Sequence, residues 1–236
     1  MIRGALLIAL AALLWATTGI VAKFLFSGSD LQAVTLGFLR LAVALPFFFG
    51  LMLREQRALA RSATSPPKFT RKALVPLLAL GFFQAVYQGS YLLAVDMTGA
   101  GIATLIALCL APVLVAIMAA PLLGEKPGVV TMLALAAAIA GTAMLVISDM
   151  DSAGHLRLGG ILVAVLAALV YAGFTLTSRY TSTGTPVFTT AFICFFTAAL
   201  ILLPVVALSG GFDGLQSLEF SQWLMVAYIG IVPTCL

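Results

Sequence analysis

The sequence predicts an all-α integral membrane protein. Hydrophobic residues make up 63% of the chain and charged residues 8%, whereas a soluble domain has about 45–50% and about 25%. Apolar runs of about 20 residues, the length that crosses the hydrocarbon core, follow one another from residue 4 almost to the end of the chain. A segment in that core must satisfy its own backbone hydrogen bonds, so each run is predicted to be an α-helix.

Polar interruptions divide the chain into eight candidate spans. They are residues 4–26, 31–53, 73–95, 99–122, 128–148, 158–178, 186–208 and 221–236. The first run, from Gly4 to Phe26, is longer than the apolar part of a secretory signal peptide, and no small-x-small cleavage site precedes a soluble body. It is therefore interpreted as the first membrane helix.

The distribution of charge predicts a topology. The segment from Arg54 to Lys72 holds six basic residues and one acid, Glu55, and basic loops stay on the cytoplasmic side. This places the N-terminus in the cytoplasm and gives the inner segments nine basic residues, against Arg157 alone outside. The net charge of +4 is thus explained by topology, and no nucleic-acid partner is expected.

An internal repeat is visible at an offset of 156. Residues 4–16 align with residues 160–172, Trp15 meets Tyr171, and Lys23 meets Arg179. Because five helices separate the copies, the second copy enters the membrane from the opposite side, which is the inverted repeat of many secondary transporters. The sequence predicts two five-helix units, residues 1–148 and an incomplete 158–236. About eight of ten expected spans are then present, so the chain is expected to be C-terminally truncated.

Two basic residues fall inside spans. Arg40 lies near the middle of the second span, where a charge costs about 2.5–3.5 kcal/mol and usually faces protein or a wet cavity. It is either an anchor for an anionic or zwitterionic substrate group or a strut bonded to backbone carbonyls. Lys23 is nearer the end of its span and is either a pathway residue or a side chain that extends to the membrane surface.

Polar and aromatic side chains mark other pathway candidates. Gln84, Tyr87, Gln88 and Tyr91 follow i, i+3, i+4, i+7 spacing on the third span and form one polar face, which either lines a pathway or joins helices. Tyr171 on the sixth span continues this pattern more weakly. Trp15 lies too deep for an interfacial residue, so it either lines the pathway or packs.

Pro112 interrupts the backbone hydrogen bonds of the fourth span, because proline has no N–H. The resulting kink would serve either a site or a bend. No carboxylate occupies the middle of a span, which favours substrates that carry a carboxylate over cationic drugs.

Enzyme and metal motifs are absent from the sequence. There is no P-loop, no G-x-S-x-G motif and no histidine pair, and Cys109, Cys194 and Cys235 each stand alone in apolar runs. The sequence predicts no catalytic residue, no metal site and no cofactor.

Several short motifs resemble the EamA-type transporters of the drug/metabolite transporter superfamily. They are Ala11 to Thr17 with Lys23, Phe38 to Arg40, Asp96 to Ala103, Leu110 to Pro112, Leu123 to Glu125, and Gly141. The resemblance implies two inverted five-helix repeats, a central cavity and movement of small metabolites across the inner membrane. It also marks Pro112 and Glu125 as structural motif residues. Lys-Pro-Gly follows Glu125 where the family more usually has an Arg-Leu type of ending.

The predicted function is secondary transport, by export or exchange, of small metabolites such as amino acids or other carboxylate-bearing solutes. The alternative is a truncated, non-transporting membrane protein or subunit. The expected partners are a small solute and membrane lipid, and a homodimer is compatible with the sequence.

Overall fold

The computed structural model describes residues 2–61, 71–124, 128–150, 155–181 and 185–235. Within these ranges the chain forms eight α-helices and one short 3-10 turn, with no strand. The helices are α1 (Ile2–Gly28), α2 (Ala33–Arg61), α3 (Arg71–Thr98), α4 (Ala100–Leu123), α5 (Val129–Met150), α6 (His155–Thr181), α7 (Val187–Leu208) and α8 (Phe220–Cys235). The all-α prediction is confirmed.

Six of these helices are long and apolar enough to cross a membrane, namely α1, α2, α3, α4, α6 and α7. The apolar parts of α5 and α8, Val129–Met144 and Phe220–Thr234, are shorter. The chain is therefore a multi-pass membrane protein, and each helix coincides with one of the eight predicted spans.

The end of α2 differs from its predicted position. The second span was expected to end at residue 53, but the helix continues to Arg61. Its 29 residues extend about 43 Å, more than the hydrocarbon thickness of about 30 Å. The extension, Arg54 to Arg61, is rich in arginine, alanine, glutamate and glutamine, which favour helix even where they are too polar to span.

Contacts at the helix ends show that α7 runs opposite to α2 and that α8 runs opposite to α1. At the face where α1 begins, called here the N-terminal face, Glu55 near the end of α2 accepts hydrogen bonds from backbone N–H groups at the start of α7. At the opposite face, Thr35 at the start of α2 donates to the carbonyl oxygen of Gly211, 3.1 Å away and just after α7. There too, Gln222 of α8 donates to the carbonyl oxygen of Gly28 at 2.7 Å.

The helices pack in a pattern that repeats after five helices. The α2 and α7 helices contact each other, α3 packs against α6 and α7, and α8 packs against α1 and α2. With a repeat of five helices, α1, α2 and α3 correspond to α6, α7 and α8. The contacts of α3 with α6 and α7 are therefore equivalent to the contacts of α8 with α1 and α2.

Two glycines make this equivalence visible at the level of atoms. A methyl group at Gly81 of α3 would collide with the Thr197 side chain and lie 3.0 Å from the carbonyl oxygen of Cys194. A methyl group at Gly230 of α8 would lie 2.7 Å from the Cβ of Val43 and 3.3 Å from the carbonyl oxygen of Arg40. Each glycine thus lets its helix approach the second helix of the other predicted unit at a matching position.

The main apolar core lies where α1, α2, α3, α4, α6 and α8 meet. Its fully buried members include Leu25, Leu36, Leu92, Ile106 and Ile229. In contrast, most of α5 is exposed, and α4 is its principal neighbour among the described helices. The apolar core therefore joins six helices, and α5 lies at the edge of the described bundle.

Candidate functional site

Arg40 is buried in the interior of the helix bundle. It lies seven residues, or about 10 Å, along α2 from Ala33, and 5% of its surface is exposed. It borders a pocket of about 20 Å³ between α1, α2, α3 and α4, called here the arginine pocket. The other lining residues are Trp15, Thr18, Tyr87, Tyr91, Thr104 and Leu108.

The guanidinium of Arg40 is oriented by α8. Its Nε–H donates a hydrogen bond to Thr234 Oγ1 at 2.8 Å, and the Thr234 hydroxyl in turn donates to the carbonyl oxygen of Ile229 at 2.9 Å. The Nε–H is one of five donors on a guanidinium, and this bond sets the plane of the group. A planar guanidinium in a fixed orientation is well suited to a carboxylate.

Four residues with hydroxyl groups line the same pocket as Arg40, namely Thr18, Tyr87, Tyr91 and Thr104. Tyr91 Oη and Thr104 Oγ1 are hydrogen-bonded at 2.9 Å. Thr18 is 1% exposed, and its Oγ1 has no hydrogen-bond partner among the described residues. A buried polar group without a partner costs about 1–3 kcal/mol.

Aromatic rings form a continuous wall along the pocket. The rings of Tyr87 and Tyr91 are stacked with centroids 5.8 Å apart. The Tyr171 ring of α6 lies 5.2 Å from the Tyr87 ring and 5.9 Å from the Trp15 ring. Tyr171 thus connects α6 to the two helices that carry the rest of the wall.

A larger cavity adjoins the arginine pocket. Its volume is about 640 Å³, and it lies between α4, α5 and α6. Its lining residues are Leu108, Ala111, Pro112, Val115, Ala116, Ala119, Gly128, Thr131, Tyr171, Thr175 and Arg179. Gly128 and Arg179 are exposed at the N-terminal face, so the cavity, called here the α4 chamber, reaches that face.

Two residues join the chamber to the arginine pocket. Leu108 lines both spaces. Tyr171 lines the chamber and contacts the Tyr87 and Trp15 rings of the pocket wall. A solute passing from the N-terminal face to Arg40 would therefore pass these two side chains.

The structure brings together five of the sequence-predicted pathway residues. Arg40, Trp15, Tyr87 and Tyr91 line the arginine pocket, and Tyr171 borders it from the chamber. Pro112 also lines the chamber, within a helix that is continuous from Ala100 to Leu123.

The other predicted residues lie elsewhere. Lys23 is exposed on α1, and Gln84 is half-buried outside the lining of both cavities. Gln88 is fully buried, but a methyl group at Gly37 of α2 would lie 3.2 Å from its Cγ, so it lies against α2. Its two amide atoms have no hydrogen-bond partner within the described part of the chain. Glu125 lies outside the described residues.

Some lining residues were not identified from the sequence. One face of α4 carries Thr104, Leu108 and Val115, and their helical spacing in the sequence is enough to predict that they share this face. Arg179 also lines the chamber, whereas the sequence indicates only its place in the topology and in the repeat. Thr234 is separated from Arg40 by 194 residues, so no local pattern connects them.

The fold and the site define a polytopic helical membrane protein with a buried cationic pocket that adjoins a cavity at one membrane face. Comparison with known families identifies it further. The model of the EamA-like transporter family matches residues 2–147 and 158–236. The chain belongs to this family, within the drug/metabolite transporter superfamily, and the resemblance noted from its motifs is confirmed.

Two curated relatives come from Bacillus subtilis (strain 168). One, named "Uncharacterized transporter YxxF", is 31% identical over 178 residues, which cover 75% of this chain and 55% of the relative. The other, "Uncharacterized transporter YwfM", is 28% identical over 158 residues, or 64% of this chain and 49% of the relative. The chain thus spans about half the length of the curated relatives it matches.

A solved structure shares the fold. It superposes with a TM-score of 0.58 at 22% sequence identity, covering 93% of this chain and 74% of that chain. At this identity the likeness extends to the fold alone.

Proposed function

We propose that this chain moves small carboxylate-bearing solutes across the inner membrane by secondary transport, as an exporter or exchanger. Arg40 is the anchor for the carboxylate, and Trp15, Tyr87, Tyr91 and Tyr171 form the pathway wall. The observation that carries this proposal is a buried arginine that borders a pocket of hydroxyl groups and aromatic rings.

The packing pattern favours an anchor over a structural strut. In the matching glycine contacts, Cys194 of α7 occupies the position that Arg40 occupies on α2. The offset between Gly81 and Gly230 also relates Ala85 to Thr234, so the pair equivalent to Arg40 and Thr234 is Cys194 and Ala85, which is apolar. Cys194 is buried against Leu77 and Leu80, and the helices pack there without a charge. This apolar equivalent supports an anchor role for Arg40 over a purely structural one.

The chemistry of the lining favours an anion. A carboxylate can accept two N–H bonds from a guanidinium, and its charge offsets the cost of burying the cation. Thr18 Oγ1, Tyr91 Oη and Thr104 Oγ1 supply hydroxyl groups nearby. Among the described residues that line either cavity, the charged ones are Arg40 and Arg179, so a cationic drug would find no carboxylate there.

The position of the cavity and the helix contacts at the opposite face support export or exchange. We assign the N-terminal face to the cytoplasm. The sequence topology places the basic segment of residues 54–72 on the same side as the N-terminus, and basic segments stay in the cytoplasm. The α4 chamber then opens to the cytoplasm. At the opposite face, Thr35 and Gln32 are hydrogen-bonded to the carbonyl oxygens of Gly211 and Ser209, so α2 is tied to the end of α7.

The two predicted units provide the moving parts. We assign residues 1–148 to the first unit and residues 158–236 to the second, in opposite orientations. The matched contacts of Gly81 and Gly230 support this division. Rocking of one unit against the other would expose the arginine pocket to each side in turn.

Tryptophan fluorescence can test binding directly. Trp15 lines the arginine pocket, and Trp223 is 40% exposed on α8, so Trp223→Phe leaves one tryptophan at the site. We expect phenylacetate, but not uncharged phenylacetamide, to change Trp15 fluorescence in the purified chain. Arg40→Gln should abolish the response and Arg40→Lys should weaken it, because lysine lacks the bidentate geometry.

Arg57→Gln is the matched control, since Arg57 is exposed on the same helix outside both cavities. Equal responses to the acid and the amide, or a full response in Arg40→Gln, would contradict the proposal. Proteoliposomes loaded with labelled phenylacetate test transport, and we expect efflux that the Arg40→Gln substitution removes.

A further inference from the structure

We infer that the substrate carries one carboxylate on a compact apolar body, and that this body lies in the α4 chamber while the carboxylate binds Arg40. The inference rests on the proposed function and adds the class of solute. It also assigns size selection to α4.

The size of the arginine pocket requires a second space. Its volume is about 20 Å³, and about 10–15 Å³ on this measure holds one water molecule. The pocket therefore accommodates a head group rather than a whole metabolite. The adjoining chamber, at about 640 Å³, falls within the range of about 300–1,000 Å³ that small-molecule sites occupy.

The chamber wall on α4 is apolar and built from small residues. Ala111, Pro112, Val115, Ala116 and Ala119 line it. Alanine side chains at three of these positions leave the space that larger residues would fill. An apolar body gains free energy by leaving water for such a surface, whereas a polyhydroxylated or highly charged solute would lose its hydration there.

The positions of charge favour a solute with one anionic group inside the bundle. Among the described residues that line the arginine pocket, Arg40 is the charged one. Arg179 lines the chamber but lies eight residues, or about 12 Å, along α6 from Tyr171, where it is exposed at the N-terminal face. A short dicarboxylate would have to bury its second charge against the alanines of α4.

The two spaces are close enough to share one molecule. Leu108 lines both, and the Tyr171 ring that borders the chamber lies 5.2 Å from the Tyr87 ring of the pocket. A solute with its carboxylate at Arg40 would thus extend past Tyr171 into the chamber. Leu108 and Tyr171 are the side chains that must adjust to admit it.

A ladder of carboxylates tests the inference. Acetate, isovalerate, cyclohexylacetate, phenylacetate and succinate compete with labelled phenylacetate for the purified chain. We expect affinity to rise from acetate to the two ring compounds, since a group that fills an apolar pocket contributes about tenfold or more. Succinate should compete no better than acetate. A flat ladder, or succinate as the best competitor, would overturn the inference.

Substitutions on α4 locate the selection. Ala116→Leu narrows the chamber and should weaken cyclohexylacetate about tenfold while changing acetate little. Ala136→Leu is the matched control, because Ala136 is exposed on α5 outside the lining. Val115→Ala is a second variant that tests the same idea if Ala116→Leu does not fold. It widens the chamber and should shift the preference toward carboxylates with larger rings. Equal effects on small and large carboxylates would remove α4 from size selection.

The outcomes separate the inference from the proposed function. If Arg40→Gln abolishes carboxylate binding but the five carboxylates bind with equal affinity, Arg40 is the anchor and the chamber does not select the solute. Unchanged binding in Arg40→Gln would reject the anchor whatever the ladder shows. Ethylbenzene, which lacks the carboxylate, is expected not to compete; if it competes as well as phenylacetate, the chamber binds general apolar molecules such as lipid chains and the inference fails.

Discussion

The Arg40 guanidinium on α2 and the Thr234 hydroxyl on α8 are hydrogen-bonded at 2.8 Å across 194 residues of sequence. The contact joins the two predicted units at the candidate site. Since Thr234 Oγ1 also donates to the carbonyl oxygen of Ile229, its acceptor lone pairs are directed toward Arg40. The α8 helix thus orients the charged group that α2 carries.

We therefore expect Thr234→Val to weaken carboxylate binding about three- to tenfold, because one hydrogen bond contributes about 0.5–1.5 kcal/mol. Thr234→Ser keeps the hydroxyl group and should bind as the unchanged chain does. Titration of Trp15 fluorescence in the Trp223→Phe background measures both. An unchanged affinity in Thr234→Val would show that this hydrogen bond does not contribute to binding. A loss in Thr234→Ser as large as that in Thr234→Val would show that the site requires the methyl group of threonine as well as its hydroxyl group.

The contact between Glu55 and α7 predicts an effect on stability. Glu55 accepts N–H bonds from Phe188 at 3.1 Å and Thr189 at 2.9 Å, and it also accepts the Thr189 hydroxyl at 3.1 Å. It therefore caps α7 from a different helix. Loss of a helix cap costs about 0.5–2 kcal/mol, so we expect Glu55→Ala to lower the unfolding temperature in detergent.

Glu219→Ala is the control for this experiment, because Glu219 is exposed at the opposite face. The unfolding temperature of Glu55→Gln should lie between those of Glu55→Ala and Glu219→Ala, because the amide keeps one of the two acceptor oxygens of the carboxylate. A thermal unfolding curve for Glu55→Ala that matches the Glu219→Ala curve would show that the cap does not stabilise the fold.

The helices could be predicted from the sequence because the hydrophobic effect acts on each span locally. The end of α2 could not, since residues 54–61 combine polarity with high helix propensity and contact α7 through Glu55. The burial of Arg40 could be predicted from its charge inside a span, and the shared helix face of Tyr87 and Tyr91 from their spacing. Gln88 differs because it is 100° from Tyr87 around the helix, which turns it toward Gly37 of α2.

The matched contacts of Gly81 and Gly230 predict that an alanine substitution at either glycine destabilises the fold. Alanine at Gly81 or at Gly230 would place a methyl group against α7 or α2. Overpacking of this kind costs about 1–3 kcal/mol. We expect both variants to unfold at lower temperature than the unchanged chain.

Gly50→Ala is the matched control, since Gly50 lies in α2 with no atom near enough to meet a methyl group. Alanine favours helix over glycine by about 0.5–1 kcal/mol, so this variant should be as stable as the unchanged chain or more so. Destabilisation by Gly81→Ala without destabilisation by Gly230→Ala would contradict the equivalence of the two contacts.

Arg179 predicts a dependence of transport on ionic strength. It is exposed at the mouth of the α4 chamber, about 12 Å along α6 from Tyr171, and a positive charge there attracts anions before they bind. Salt screens such attraction, with a Debye length of about 10 Å at 0.1 M. In proteoliposomes we expect Arg179→Gln to slow carboxylate transport severalfold at low ionic strength and to match the unchanged chain at high ionic strength.

Arg54→Gln controls for the general charge of this face, because Arg54 is exposed near the end of α2 and lines neither cavity. Its rate should follow that of the unchanged chain at each salt concentration. A defect in Arg179→Gln that persists undiminished at high salt would mean that Arg179 contacts the solute or supports the structure. Long-range attraction alone disappears as the salt concentration rises, so the shape of the salt dependence separates attraction at the chamber mouth from direct contact.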